Sequence, residues 1–97
     1  MATPIKLSQS QIDERLPALS GFSVQNGKLH KEFRFPGFVE AFGFMAQVAL
    51  VAERTQHHPE WFNVYNRVVV ELTTHDAGGI SEKDLDLAKT MNELAGG

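Results

Sequence analysis

Hydrophobic positions along the chain form short runs of two different periods, punctuated by glycine, proline and asparagine. The first run has helical spacing. Ile12, Leu16 and Leu19 stand at i, i+4 and i+7, one apolar stripe. Ser8 can take the free amide of Gln11 while Gln11 reaches back, a capping box with Leu7 and Ile12 placed as its hydrophobic staple. Pro17 ends or distorts this helix. From Gly21 to Phe35 the period changes to two. Phe22 and Val24 alternate before Asn26-Gly27, and Leu29, Lys31, Phe33 and Phe35 share a face after it. Both turn residues tolerate positive φ, so the stretch reads as a hairpin. Pro36-Gly37 stops the second strand.

Phe38 to about Arg54 reads as the long helix. Phe38, Ala41, Phe42, Met45, Val48, Ala49 and Ala52 form its expected core stripe, and Phe44, Leu50 and Val51 interrupt the opposite side. A helix apolar nearly all round is covered on both sides. In a chain this short, the second cover is most simply another subunit. Trp61 to Thr74 reads as a second hairpin turning near Tyr65-Asn66, with Val68, Val70 and Leu72 alternating against more polar neighbours. Gly78-Gly79 breaks the chain. Ile80 to Leu94 reads as the last helix, with a capping box over Ser81-Glu82-Lys83-Asp84. Leu87, Ala88, Met91, Leu94 and Ala95 form its stripe, and Asp84 projects from the buried edge. The order is α-β-β-α-β-β-α. Two hairpins and three helices imply one antiparallel sheet covered by helices on one face, an α+β fold.

The 97 residues make one domain, here taken as residues 1–97. Folding such a chain buries about 65% of its unfolded surface, enough for one core. A net charge of −3 and the lack of any Lys/Arg cluster argue against direct nucleic-acid binding. No apolar run is long enough to span a membrane, and the first residues have no secretory h-region. There is no cysteine, so disulfide scaffolds, thiolate metal sites and thiol nucleophiles drop out. A staple-free fold fits a reducing, cytoplasmic setting.

What remains for chemistry is histidine. Three of the four histidines, His57, His58 and His75, lie close together in the sequence, while His30 reads as an ordinary strand residue. If the long helix persists to His57, Glu53 stands four residues before it on one face and can fix its tautomer. Pro59 pushes His58 into extended backbone, so adjacent His57 and His58 point apart. His75 follows the fourth strand, and the intervening hairpin returns the chain towards its start. Glu53, His57 and His75 would also suit zinc or iron. No His-Glu-x-x-His helix is present, however, and the His-His pair does not put two ligands on one helical face. No metal ligand set is assigned.

The spacing of Glu53, His57-His58-Pro59, Tyr65, His75 and Asp84 resembles the signature of the pterin-4a-carbinolamine dehydratases. So do the continuous run from His57 to Asn66, Ala41-Phe42-Gly43-Phe44-Met45, Val48-Ala49-Leu50 and Leu72-Thr73-Thr74-His75. The resemblance extends from about Leu7 to Leu94. It implies a small α+β subunit with a four-stranded antiparallel sheet, associating into dimers or tetramers through sheet and helix surfaces. It implies dehydration of 4a-hydroxytetrahydrobiopterin to quinonoid dihydropterin, recycling the cofactor of aromatic amino acid hydroxylases. No further cofactor is needed, since the pterin is the substrate. By resemblance, His57 and His75 are the acid–base pair and His58 holds the pterin or the departing water. Glu53 would orient His57, and Asp84 would orient a histidine, His75 foremost. Gln56, Thr73, Thr74 and Asp76 flank the histidines as pterin contacts. Gln56 and Asp76 depart from the aspartate and glutamate of animal members. A hydroxylase or a homeodomain transcription factor, the latter implying a nuclear site, are the partners the resemblance adds.

Overall fold

Capping chemistry sets the element ends. The computed structural model describes residues 3–96. Helix α1 spans Gln9–Arg15, and the Ser8–Gln11 capping box is formed in both directions. Pro17 then sits in a single 3₁₀ turn, Leu16–Ala18, that carries Leu19 into the core. Strands β1, Ser23–Gln25, and β2, Lys28–Arg34, are joined by Asn26 and Gly27 at φ 53° and 76°, the positive pair that a tight hairpin needs. Helix α2 spans Phe38–Thr55. Strands β3, Glu60–Val64, and β4, Arg67–Leu72, turn at Tyr65, which also takes positive φ. Helix α3 spans Glu82–Leu94 behind its N-cap, Ser81.

The four strands lie in the order β1-β2-β4-β3, antiparallel throughout. Alternation sends Leu29, Phe33, Val68, Val70 and Leu72 to one face. There they pack with Ile12 of α1, with Ala41, Phe44 and Val48 of α2, and with Leu85, Ala88 and Met91 of α3. Phe44 anchors this layer against Phe33 and Phe35, at ring distances of 4.8 and 5.0 Å. Lys31 is the polar exception on the covered face. Its ammonium donates to Ser20 O and Asn92 Oδ1 and lies 4.4 Å from the centre of the Phe33 ring, tying the end of α3 to the sheet. Partial burial holds its pKa below the ordinary lysine value. The α+β architecture and element order agree with the expectation.

Two details differ. The buried stripe of α2 is Ala41, Phe44, Val48 and Ala52, while Phe38 and Phe42 stay 50% and 57% exposed. The Phe33–Phe35 shelf selects Phe44 as its partner, which rotates the helix and leaves Phe38 and Phe42 outside, their tilted rings 5.8 Å apart. The other is a second 3₁₀ turn, His75–Ala77, in a stretch where the hydrophobic pattern predicts no element. Val39 and Leu50 join Phe38 and Phe42 on the surface of α2, and Phe62, Val64 and Tyr65 are exposed at edge strand β3. Among the described residues no helix is long and apolar enough to cross a membrane.

Candidate active site

The end of α2 decides which way each histidine faces. Gln56 adopts left-handed backbone, φ 56°, and the His57 amide donates back to Ala52 O at 3.0 Å, a Schellman-type closure. This reversal takes His57 off the helical face that bears Glu53. The expected Glu53–His57 contact is therefore not made. Glu53 Oε1 lies instead 3.0 Å from His58 Nε2, in an exposed pair. Gln56, expected at the pterin, has its side-chain amide donating to Glu53 O at 2.8 Å, as part of the helix end.

His57 turns inward and meets α3. Its Nε2 is 2.5 Å from Asp84 Oδ1, and Asp84 is completely buried. A carboxylate so enclosed is tolerable only with every oxygen partnered. Asp84 Oδ2 accepts from the Ser81 amide at 2.9 Å and from the Thr74 hydroxyl at 2.8 Å. Ser81 Oγ in turn lies 2.7 Å from Thr74 Oγ1 and accepts from the Lys83 amide at 3.2 Å. The expected partner of Asp84, His75, is not in this network, because the His75 side chain points outward. Thr74 was expected to contact the pterin, but its hydroxyl is committed inside the protein. The second nitrogen of His57, Nδ1, has no hydrogen-bond partner among the described residues and is not sealed from solvent. His57 also lines a cleft of about 180 Å³ between α2 and α3, shared with Val51, Thr55, Lys83, Leu87 and Thr90.

His75 opens the 3₁₀ turn that follows β4, one residue beyond Thr74. Gly78 closes that turn at φ 74°, and Thr74 bridges to Gly79. The His75 side chain is 85% exposed, with Nε2 3.5 Å from Glu60 Oε2. The other oxygen of Glu60 takes Lys28 Nζ at 2.6 Å. Lys28 foremost, with His75 adding to it, holds the Glu60 carboxyl below the usual glutamate range. Glu60 in return raises the Lys28 ammonium above its ordinary value. Sequence reasoning passed over Glu60, although it stands inside the His-His-Pro-Glu run. Its position at the start of β3, opposite Glu71 in register, brings it to the sheet end beside the turn. Thr73 is half-buried and Asp76 exposed. His30 faces Glu71 at 3.3 Å on the uncovered side of the sheet, away from the His57 network. Among the described residues no three His, Asp or Glu side chains are gathered as metal ligands.

The structure thus links His57 to the segment bearing His75 through Asp84 and Thr74, and leaves the Glu53–His58 pair at the rim. The family model described as Pterin 4 alpha carbinolamine dehydratase matches residues 5–94. A Solibacter usitatus relative whose name places it among the pterin-4-alpha-carbinolamine dehydratases is 56% identical over 92 residues, covering 95% of this chain and 97% of its own. A Rhizobium johnstonii relative of the same designation is 51% identical, covering 93% and 91%. The crystal structure described as a transcriptional coactivator/pterin dehydratase from Brucella melitensis superposes with a TM-score of 0.90 at 48% identity, over 93% of this chain and 98% of that one. With the family match spanning nearly the whole chain and relatives about half identical along it, this chain belongs to the pterin-4a-carbinolamine dehydratase family and is a dehydratase of that family.

Proposed function

We propose that the chain dehydrates 4a-hydroxytetrahydrobiopterin by histidine acid–base catalysis. The reaction breaks the bond between C4a and its hydroxyl oxygen. The hydroxyl leaves as water after gaining a proton, a ring nitrogen gives one up, and quinonoid dihydropterin results without any net electron transfer. Each transfer wants a group that titrates near neutrality, and an ordinary imidazole does so at about 6.5.

The observation that carries this reading is the buried His57–Asp84 pair. Asp84 occupies Nε2, which leaves Nδ1 as the nitrogen free to exchange a proton. His75, on its turn beside Thr74, is the second proton carrier. His58, paired with Glu53 at the rim, holds the pterin or the departing water. Thr73 and Asp76 are the remaining flanking contacts. A coupled assay using enzymatically generated 4a-hydroxytetrahydropterin tests the activity directly.

In this reading the chain works in the cytoplasm, recycling the cofactor that aromatic amino acid hydroxylases spend. It assembles with copies of itself. The apolar surfaces of α2, at Phe38, Val39, Phe42 and Leu50, and of edge strand β3, at Phe62 and Val64, support that assembly. The Brucella melitensis structure is described as a transcriptional coactivator as well as a dehydratase. A regulatory protein partner on the α2 surface is therefore the second reading, though self-association covers the same surface more simply.

A further inference from the structure

We infer that Thr74 and Ser81 are positioning residues that set the tautomer of His57, acting through Asp84. The inference deepens the acid–base reading above and rests on it for its effect on rate. Its geometric part stands on the network alone.

The direction of each hydrogen bond follows from the donors present. Thr74 has one hydroxyl proton, and it goes to Asp84 Oδ2 at 2.8 Å. The 2.7 Å contact between Thr74 Oγ1 and Ser81 Oγ then takes its proton from Ser81. Ser81 also sends its backbone N–H to the same Asp84 oxygen, at 2.9 Å. The donors run from Ser81 to Thr74 to Asp84, and none of the three side chains is more than 5% exposed. Two donors converging on one oxygen favour the charged carboxylate, which can only accept. The 2.5 Å contact at Oδ1 is therefore donated by His57 Nε2–H. Neutral His57 keeps its proton on Nε2 and presents a lone pair at Nδ1.

Without the Thr74 donor, only the Ser81 amide holds Asp84 Oδ2, the carboxylate is free to turn, and its hold on the His57 Nε2–H loosens. A neutral imidazole no longer held at Nε2 also populates the tautomer with its one proton on Nδ1, and in that form the lone pair there is lost. The charged side chains that share the cleft with His57 are Lys83 and Asp86. Neither side chain bonds to His57 or Asp84, so the tautomer is set from the buried side.

The test is the imidazole ¹⁵N spectrum of His57, assigned with His57→Ala and read for the neutral ring, together with kcat. Wild type is expected to show a protonated Nε2 and a bare Nδ1. Thr74→Val should shift Nδ1 towards the protonated form and lower kcat by about tenfold, and Thr74→Ser should restore both. Ser81→Ala should shift the spectrum in the same direction by less. A wild-type spectrum with the proton on Nδ1 overturns the inference, whether or not any variant folds. So does a folded Thr74→Val protein whose His57 spectrum matches wild type. If the spectra respond as expected while His57→Ala keeps full activity, the positioning stands and the acid–base reading fails.

Discussion

His57 and Asp84, 27 residues apart in sequence, meet at 2.5 Å in the covered layer of the fold. Asp84 sits in the first turn of α3, where a negative charge is favoured by the helix dipole. Its other oxygen completes the capping box with Ser81. One carboxylate therefore starts a helix and fixes the orientation of a histidine at the end of another. The pairing couples the packing of α2 against α3 to the chemistry of the site.

Asp84→Asn should weaken both. It replaces a charged acceptor that has three donors, and breaking such a buried pair costs about 3 kcal/mol. Denaturant unfolding should show that loss. The dehydratase rate should fall about tenfold or more as His57 loses its orienting partner. A variant with unchanged stability and rate would show the network to be dispensable.

Glu53→Ala should do little. Its contact is with His58, and both side chains are mostly exposed, at 75% and 60%. Pairs of this kind are worth about 0–1 kcal/mol. The expected rate lies within about fivefold of wild type, the equivalent of about 1 kcal/mol. A larger loss in the coupled assay would place Glu53 on the substrate itself.

Lys28→Met should release Glu60. Lys28 holds that carboxyl below its ordinary value of 4.5 in the folded protein. A lowered folded pKa means stability that is present above the unfolded value and lost as pH falls through the folded one. In Lys28→Met the Glu60 ¹³C titration should move up towards the ordinary value, and the acid-side loss should shrink. An unmoved titration would mean that His75 or the strand end, not Lys28, sets it.

Phe42→Asp combined with Leu50→Asp should dissociate the proposed assembly. Both side chains are exposed on α2, outside the rotated core stripe. Wild type is expected to sediment as an oligomer and the double variant as a smaller species. Monomeric wild type at micromolar concentration would remove the basis for self-association.

Features coded within a few residues of themselves were legible. The Ser8 and Ser81 caps, the Asn26-Gly27 turn and the alternation of Val68, Val70 and Leu72 all appear where the sequence places them. The buried face of α2 was not, because Phe38, Phe42 and Phe44 satisfy helical periodicity about equally well. Only the Phe33–Phe35 shelf across the fold chooses between them. The candidate site residues come mostly from the family resemblance, and their pairings were not legible. An i, i+4 rule joins Glu53 to His57 only while the helix continues, and Gln56 ends it in a left-handed conformation seldom taken by that residue type. The Asp84–His57 contact is long-range, and the only local trace of Asp84 is a capping box that looks structural. Glu60 left a weaker trace still, since its closeness to His75 depends on strand register.

The central claim is that His57 moves a proton during dehydration, and the initial rate of His57→Ala beside wild type tests it most directly. With 4a-hydroxytetrahydropterin generated in the coupled assay, wild type should accelerate the loss of water. His57→Ala should be slower by about tenfold or more while unfolding as a native protein. A folded His57→Ala protein that turns over at the wild-type rate would contradict the account.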